Sequence, residues 1–292
     1  MRTLDRQQGV DSIALKAPTV GAEAVINAAP LRDAALHRLA LDSGCHVVDV
    51  TIDRGLIREM LGLDAVARQR GRCVMSMAGL SPGLTGLLAR DMLARVASAD
   101  CVQVSLLQSS AGTAGEQGTR EMLDLLTRPD SALEKRAHPQ RDGGSPSVRR
   151  LFELDGPELE FLGEAEKIRF VTGFDSGSMN AVIYALGILR RVAPSIYARL
   201  RDGMARKKAR VNEAASEAIE LGVLALSRRG TVLASRLLRL ASDYGGTAAI
   251  ACAAATLAVQ GRAPAGAGHL SAFVALDTLL DHPIVRTQIL AE

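Results

Sequence analysis

A glycine-containing loop in the first third of the chain is the clearest candidate for binding chemistry. The apolar run Cys73–Ala78 predicts a buried strand, and apolar residues at helical spacing begin at Leu84. The loop Gly79–Gly83 lies between them. Loops at the carboxyl ends of parallel strands bind ligands, and the following helix offers free backbone N–H groups and the positive end of its dipole. An ordinary turn between a strand and a helix has the same pattern, so both interpretations stay open at this point.

Few other polar side chains have a spacing that indicates chemistry. Asp49 lies near the carboxyl end of a predicted strand, where polar ligands are met, and His46 begins the same strand. For His46, a catalytic role and a structural role at the strand edge are both open. The five histidines show no metal-ligand spacing, and no serine lies in the G-x-S-x-G context of a hydrolase. The sequence therefore predicts no metal site and gives no support to hydrolase chemistry.

The composition is that of a globular protein with a sizeable core. Of the 292 residues, 48% are hydrophobic and 23% are charged. The net charge of +3 is too small to indicate nucleic-acid binding. The four cysteines are widely spaced, as in reduced core residues of a cytoplasmic protein. The longest apolar stretch, Thr247–Val259, is shorter than a bilayer span, so we expect a buried helix and no membrane partner.

Strands and helices alternate three times between residues 24 and 98. This alternation predicts a parallel sheet with right-handed crossovers. A further short strand is predicted at Ser12–Leu15. The predicted strands are Ala24–Ala28, His46–Val50 and Cys73–Ala78, and the predicted helices are Leu31–Ser43, Leu63–Arg70 and one that begins at Leu84.

The pattern changes after residue 100, where strands and helices mix without strict alternation. Residues 128–147 are rich in Pro, Gly, Ser and charge, which predicts a surface excursion. We therefore expect an α/β chain with a sheet domain at 1–100, an α+β domain at 101–240, and C-terminal helices at 241–292. The predicted strands of this part are Val102–Leu107, Val148–Leu154, Ile168–Val171, Leu221–Ser227 and Thr231–Ala234, and its predicted helices are Glu121–Leu126, Met179–Ala193, Gly245–Val259 and 271–281.

Four short motifs, in order, give the chain a resemblance to a known family. They are V-I-N-A-A-P from Val25, G-C-H-V-V-D from Gly44, R-G at Arg70, and G-L-S-P-G-L from Gly79. This order and spacing resemble the saccharopine dehydrogenase-like family, whose members carry V-I-N-A-A, G-x-H-Y-V-D, A-x-x-A-G-V and G-x-x-P-G. Two later segments, Asp243–Ala249 and Gly261–Gly268, resemble the family's C-terminal region more weakly.

The resemblance implies an NADP- or NAD-dependent oxidoreductase. It implies a Rossmann-like domain with a second domain for substrate binding and dimerisation, and hydride transfer to or from a carbonyl or imine carbon of an amino acid or related small molecule. It also implies a homodimer. Asp49 would border the nicotinamide and is the best candidate for a catalytic residue. The residues implied in cofactor binding are Asn27, Ala28, Ala29 and Pro30 along the dinucleotide, and Gly79, Leu80, Ser81, Pro82 and Gly83 at its nicotinamide end.

Two departures from the family pattern affect the expected function. The family's tyrosine in the second motif is Val47 here, and the chain contains no G-x-G-x-x-G phosphate loop. The glycines at 112, 115 and 118 have the wrong spacing and lie too late in the chain. We therefore expect an N-terminally shortened Rossmann-like sheet in which Ala24–Ala28 forms an open edge that invites pairing with another chain.

Three explanations of the missing phosphate loop stay open. The chain could be a shortened dehydrogenase, a subunit whose partner chain completes the sheet, or a scaffold that serves another purpose. The expected function is accordingly an NAD(P)-dependent oxidoreductase, and the alternative is a non-catalytic or partner-dependent subunit on the same scaffold. Loss of several phosphate contacts would weaken dinucleotide binding by several decades, at about 1.5–3 kcal/mol a contact.

Overall fold

A computed structural model describes residues 21–110, 116–128, 131–163, 166–208 and 218–291. The predicted strand at Ser12–Leu15 lies outside these residues. The chain divides into two compact units. Unit 1 consists of Met1–Leu88, Glu160–Leu162 and Tyr244–Gln288, and unit 2 of Ala89–Leu159, Gly163–Asp243 and Ile289–Glu292.

The strands and helices are numbered along the whole chain. The strands are β1 (Ala24–Asn27), β2 (His46–Asp49), β3 (Cys73–Ser76), β4 (Cys101–Gln108), β5 (Leu133–His138), β6 (Ser147–Leu154), β7 (Ile168–Phe174), β8 (Ile219–Leu226), β9 (Val232–Leu240), β10 (Gly266–His269) and β11 (Ile289–Ala291). The helices are α1 (Ala35–Asp42), α2 (Arg54–Leu61), α3 (Asp64–Gln69), α4 (Leu84–Arg95), α5 (Glu116–Leu126), α6 (Pro157–Phe161), α7 (Gly177–Val192), α8 (Pro194–Lys208), α9 (Asp243–Val259), α10 (Leu270–Phe273), α11 (Leu276–Leu280) and α12 (Pro283–Arg286).

Unit 1 contains the parallel sheet that the alternation predicts. Its four strands lie in the order β1-β2-β3-β10, and all neighbours are parallel. Among the described residues, β1 hydrogen bonds to β2 alone, as expected for an edge strand. Strand β10 was not predicted, because Gly-Ala-Gly-His has no β-branched or aromatic residue and forms a strand only through its pairing with β3.

The centre of the unit 1 sheet is buried on both faces. Every residue of β2 and β3 is buried, which explains why both strands are nearly continuous apolar runs. Cys45 and Cys73 are fully buried, as predicted for core cysteines, whereas Cys101 and Cys252 are only half-buried. The alanine-rich helix α9 buries Ala249, Ala253 and Leu257, which confirms the prediction of a core helix.

Unit 2 is built on a seven-stranded mixed sheet. The strand order is β11-β9-β8-β4-β7-β6-β5, and only β4 and β7 are parallel neighbours. Each strand predicted in this part of the chain overlaps an observed one, including the hairpin of β8 and β9. With the parallel sheet of unit 1, this mixed unit confirms the predicted α/β class with a second α+β part. The domain boundaries at residues 100 and 240 stay predictions.

Some predicted elements are wrong. The surface excursion at 128–147 contains strand β5, whose charged residues Glu134 and Lys135 are exposed because β5 is the last strand of the sheet. Helix α5 begins at Glu116 instead of Glu121. Helices α2, α6, α8 and α12 were not predicted. The starts of α2 and α8 follow local rules that the apolar pattern hides: Asp53 caps α2 by accepting from Leu56 N at 2.8 Å, and α8 begins with Pro194.

The helices of the described residues are 4 to 17 residues long. None of them is both long enough and apolar enough to cross a membrane. The longest apolar one, α9, has 17 residues and belongs to the core of unit 1.

Candidate functional site

Three parallel strands end together at the carboxyl edge of the unit 1 sheet. The register places Asn27, the last residue of β1, beside Asp49, the last residue of β2. Asn27 Nδ2 donates to Asp49 Oδ2 at 2.7 Å. The backbone N–H of Ala78, just after β3, donates to the carbonyl oxygen of Asp49 at 2.9 Å. The structure thus brings together the motifs of β1, β2 and β3, where open parallel sheets bind their ligands.

The side chain of Asn27 shapes the loop that follows β1. Its Nδ2 also donates to Ala29 O at 2.9 Å, and Ala29 N donates to Asn27 Oδ1 at 3.2 Å. These bonds form a compact turn of the kind that Asn favours. The amide of Asn27 is therefore used within the protein, while Ala28 and Pro30 are exposed and Ala29 is half-buried.

Asp49 is fully buried, and its carboxylate accepts three hydrogen bonds. In addition to Asn27, Thr51 N donates to Oδ1 at 2.6 Å and His37 Nε2 donates to Oδ2 at 2.6 Å. Hydrogen bonds to an ionised carboxylate are the strong ones in proteins. The carboxylate does not face solvent, so in this arrangement it holds the loops after β1 and β2.

His37 is the residue that sequence reasoning missed. It is 1% exposed, and its Nδ1 has no hydrogen-bond partner among the described residues. The apolar pattern predicted one helix face of Leu31, Ala35, Leu36, Leu39 and Ala40. Helix α1 does bury Ala40, but its other buried residues are His37 and Leu41, and Leu36 and Leu39 are only half-buried. The spacing of His37 from the apolar residues three and four positions later was the available indication of its burial.

The loop Gly79–Gly83 is closed on itself. Gly79 N donates to Pro82 O at 3.1 Å, and Leu84 N donates to Gly79 O at 3.0 Å. Leu80 N donates to Thr247 Oγ1 of α9 at 3.3 Å, and only Ser81 of this loop is not buried. The N–H groups of Gly79 and Leu80 are thus used internally, which leaves them out of any phosphate cradle.

Gly83 makes this compact loop feasible. Its φ of +134° is a conformation that L side chains rarely adopt. An added Cβ would lie 2.2 Å from Gly79 O and 2.5 Å from Met77 O. The motif glycine is therefore required by the backbone itself, whatever the loop binds.

His46 lies at the other end of β2 from Asp49. Its Nδ1 is 3.2 Å from Cys73 Sγ and accepts from Cys73 N at the same distance. Burial lowers the pKa of His46 and raises the pKa of Cys73 to about 12, so the thiol is a poor nucleophile. The structure does not bring His46 to the carboxyl edge, and its contacts are those of a core residue.

The carboxyl edge offers a small apolar surface. Ala28 and Pro30 follow β1, and Ile52, which is 53% exposed, follows β2. Since β1 and β2 are neighbours, their loops leave the sheet side by side. Small apolar side chains at this position can lie against a flat ring, whereas the described loops present no glycine turn for a pyrophosphate.

The chain was compared with known proteins by sequence and by structure. No family model and no curated protein sequence matches it. Apo saccharopine dehydrogenase (L-Glu forming) from Saccharomyces cerevisiae matches 100% of this chain and 88% of its own at 14% identity, with a TM-score of 0.59. DAP dehydrogenase from C. glutamicum, in complex with DAP, matches 97% of this chain and 85% of its own at 13% identity, with a TM-score of 0.46. With its parallel sheet and mixed second unit, the chain therefore has the saccharopine dehydrogenase-like fold.

Proposed function

We propose that the chain is an oxidoreductase that transfers a hydride between NADPH or NADH and a carbonyl or imine carbon. The substrate would be an amino acid or a related small molecule. The observation that carries this proposal is the convergence of the β1, β2 and β3 loops at the carboxyl edge, in a fold like that of saccharopine dehydrogenase along the whole chain. The bound dinucleotide would supply the hydride chemistry, and the protein would orient it.

The described residues fit one end of such a dinucleotide. Ala28, Ala29 and Pro30 present a small surface against which a nicotinamide ring can lie. The loop Gly79–Gly83 follows β3 at the same edge of the sheet and is mostly buried. The pyrophosphate end does not fit in the same way, because the two N–H groups at the start of that loop already have partners.

Asp49 has a positioning role in this proposal. Its carboxylate holds the turn after β1 through Asn27 and the loop after β2 through Thr51. His37 fixes the carboxylate from the core side. Loss of this network would displace both loops, so Asp49 would affect catalysis through the surface that binds the coenzyme. The catalytic role that the resemblance implies for Asp49, at the border of the nicotinamide, stays a prediction.

The first experiment is a calorimetric titration of the purified chain with NADPH and with NADH. We expect saturable binding of one of them below millimolar concentration, weaker than binding to a phosphate loop because the Gly79 and Leu80 N–H groups already have partners. Ala28→Glu should weaken this binding about tenfold or more, because it places bulk and negative charge on the proposed ring surface. Ala65→Glu is the matched control, since Ala65 is exposed on α3 of the same unit. A folded chain that binds neither coenzyme at millimolar concentration would contradict the proposal.

The alternative is a non-catalytic or partner-dependent subunit. It is favoured by two observations: within the described ranges β1 pairs with β2 only, and the N–H groups of Gly79 and Leu80 already have partners inside the fold. On this alternative, the folded chain alone binds no coenzyme, and binding appears only when a partner chain pairs with β1. The same titration therefore distinguishes the two functions, provided that circular dichroism shows the chain to be folded.

A further inference from the structure

A shallow depression in unit 2, which we call the α7 depression, has an apolar floor. Leu126 at the end of α5 and Phe152 on β6 are buried residues that line it, and Gly187 and Ile188 come from α7. Every residue that lines the depression belongs to unit 2, whereas the candidate functional site is built from unit 1. Any ligand of the depression would therefore have a site of its own.

The size of the α7 depression limits what it can hold. Its volume is about 250 Å³, including the part that is open to solvent. Sites for drug-sized ligands measure about 300–1,000 Å³ and combine an apolar lining with a few polar groups that fix the ligand. The depression therefore suits a smaller ligand, with one ring or one branched chain as its apolar part.

Two arginines lie at the border of the α7 depression. Arg128 follows α5, and Arg191 is in the last turn of α7. Arg128 is exposed and forms no ion pair with the rest of the described chain. Ser131 and Tyr184 complete the polar lining, and none of the described lining residues is acidic. Because guanidinium groups bind carboxylates through paired hydrogen bonds, this border is suited to a carboxylate.

The strands beside the depression add further positive charge. Lys135 on β5 lies directly opposite Arg150 on β6, and we call these two residues the basic pair. Both are exposed, and neither forms an ion pair with a described residue. Arg150 is two residues before Phe152, so the two side chains lie on the same face of β6, about 7 Å apart along the strand. The basic pair is therefore on the face of the hairpin that contributes Phe152 to the depression.

The other face of the same hairpin shows how the protein offsets such a pair. Arg136 lies directly opposite Arg149 there, and like charges in that position destabilise a sheet. Glu134 and Glu153 both form ion pairs with Arg136. No described acidic residue does the same for the basic pair. The repulsion on the depression side is thus left for an anion from outside the chain to offset.

We propose that the α7 depression binds a small carboxylate with an apolar body, such as an aryl- or alkyl-substituted propionate. The apolar body would lie on Phe152 and Ile188, and the carboxylate would accept hydrogen bonds from Arg128 and Arg191. The basic pair raises the local potential, which favours an anion over a neutral ligand. An inorganic anion would leave the apolar floor uncovered, and a neutral ligand would make no use of the charge.

The test is a calorimetric titration of the full chain with 3-phenylpropionate. We expect saturable binding with a Kd below about 1 mM. Two matched ligands remove one feature each: 3-phenylpropionamide lacks the charge, and acetate lacks the apolar body. Each should bind about tenfold more weakly or worse, because the depression recognises both features together. A folded wild type that does not bind 3-phenylpropionate, or that binds either matched ligand equally well, would overturn the proposal.

Variants then locate the binding in the depression. Arg128→Gln and Arg191→Gln should each weaken the binding of 3-phenylpropionate about tenfold. Arg229→Gln is the matched control, because Arg229 is an exposed arginine of the same unit in the turn between β8 and β9. It should leave the affinity unchanged. Equal affinities in all three variants would place the binding elsewhere and overturn the proposal.

A change in the apolar floor tests the position of the ligand body. Ile188→Glu should weaken binding about thirtyfold or more, because it places a carboxylate where an anion would lie. Leu233→Glu is the control, since Leu233 is a large apolar residue of the same unit and 43% exposed. Equal affinities in these two variants, both folded by circular dichroism, would overturn the proposed position, and the arginine variants remain a test if Ile188→Glu does not fold. No measurement uses a coenzyme, so the result is independent of the proposed function.

Discussion

Two buried histidines, one in each unit, have similar polar neighbours but form different hydrogen bonds with them. His37 in unit 1 and His138 in unit 2 are each 1% exposed. Each lies near a carboxylate, and each has one ring nitrogen with no hydrogen-bond partner among the described residues. In both, Nε2 is the nitrogen nearest the carboxylate, but it lies within hydrogen-bond distance only in His37, at 2.6 Å against 3.6 Å in His138. This difference separates a structural support of the candidate site from a packed interior.

His37 meets its carboxylate directly. Its Nε2 donates to Asp49 Oδ2 at 2.6 Å, and Asn27 and Thr51 supply the other donors to the same carboxylate. The charge of Asp49 is therefore buried with several hydrogen bonds, which is the condition under which a buried charge is tolerated. The loops that it holds lead to the surface at Ala28.

His138 meets a hydroxyl group instead. Ser105 Oγ donates to Gly222 O at 3.1 Å, so it accepts from His138 Nδ1 at 2.7 Å. The other nitrogen, Nε2, is 3.6 Å from Glu220 Oε2, beyond hydrogen-bond distance, and Arg141 Nε donates to Glu220 at 2.6 Å. Burial lowers the pKa of His138 to about 4, although Glu220 opposes the shift. A serine, a histidine and a carboxylate meet here with no access for a substrate.

Among changes at the two histidine sites, removal of the Asp49 carboxylate should cause the largest loss in the free energy of unfolding. Asp49→Ala leaves the donors on His37, Asn27 and Thr51 without their acceptor, and we expect a loss of about 4 kcal/mol in the free energy of unfolding. Urea denaturation measures this loss. Asp281→Ala, at a side chain that is 74% exposed, should change stability by no more than about 0.5 kcal/mol. Equal losses in the two variants would contradict the role of Asp49 as the centre of the network.

Acid should lower the free energy of unfolding through the unit 2 histidine, because His138 binds a proton more readily in the unfolded chain. In the unfolded chain His138 takes up a proton near pH 6.5, whereas in the folded chain it does so only near pH 4. Stability from this group is therefore present above pH 6.5 and is lost as the pH falls to about 4, by about 3 kcal/mol in all. Urea denaturation of the wild type and of His138→Gln at several pH values would show a shallower decline in the variant. If the free energy of unfolding falls equally with pH in the wild type and the variant, the lowered pKa of His138 does not contribute to acid sensitivity.

Close packing around His138 should make Gly222 sensitive to the addition of one methyl group. A Cβ at this position would lie 2.5 Å from Pro139 Cδ and 2.8 Å from His138 Cε1. We expect Gly222→Ala to cost about 2 kcal/mol by denaturation, as in other overpacked cores. Gly203→Ala in helix α8 is the control, because no atom lies within 4 Å of its added Cβ. It should stabilise by up to about 1 kcal/mol, and an equal loss at both positions would rule out packing as the cause.

A conservative change at His37 should have the smallest effect. The amide of His37→Gln keeps an N–H donor for Asp49, so we expect a loss of about 1 kcal/mol. His37→Leu removes the donor and should cost more, and denaturation of both variants gives the difference. If the two variants lose equal stability, the hydrogen bond from His37 to Asp49 does not stabilise the fold. His37 would then resemble His138, whose Nε2 forms no hydrogen bond to its carboxylate.

Several parts of the candidate site could be predicted from the sequence because they are local. Each site loop directly follows a strand that is a short apolar run, so the carboxyl edge could be predicted from β1, β2 and β3 one at a time. The alternation of these strands with helices then predicted that the sheet is parallel. Gly83 could also be recognised, because its loop must fold back within five residues.

The contacts that complete the site could not be predicted in this way. His37 lies in a helix and meets Asp49 only because α1 packs on the sheet, and β10 pairs with β3 across almost two hundred residues of chain. Strand β5 has a charged sequence typical of a loop, and its pairing with β6 makes it a strand. The sequence by itself thus determined where strands end and ligands can approach, since strand ends follow from neighbouring residues. The tertiary structure alone decided which buried polar groups meet, because those partners are distant in sequence and only packing brings them together.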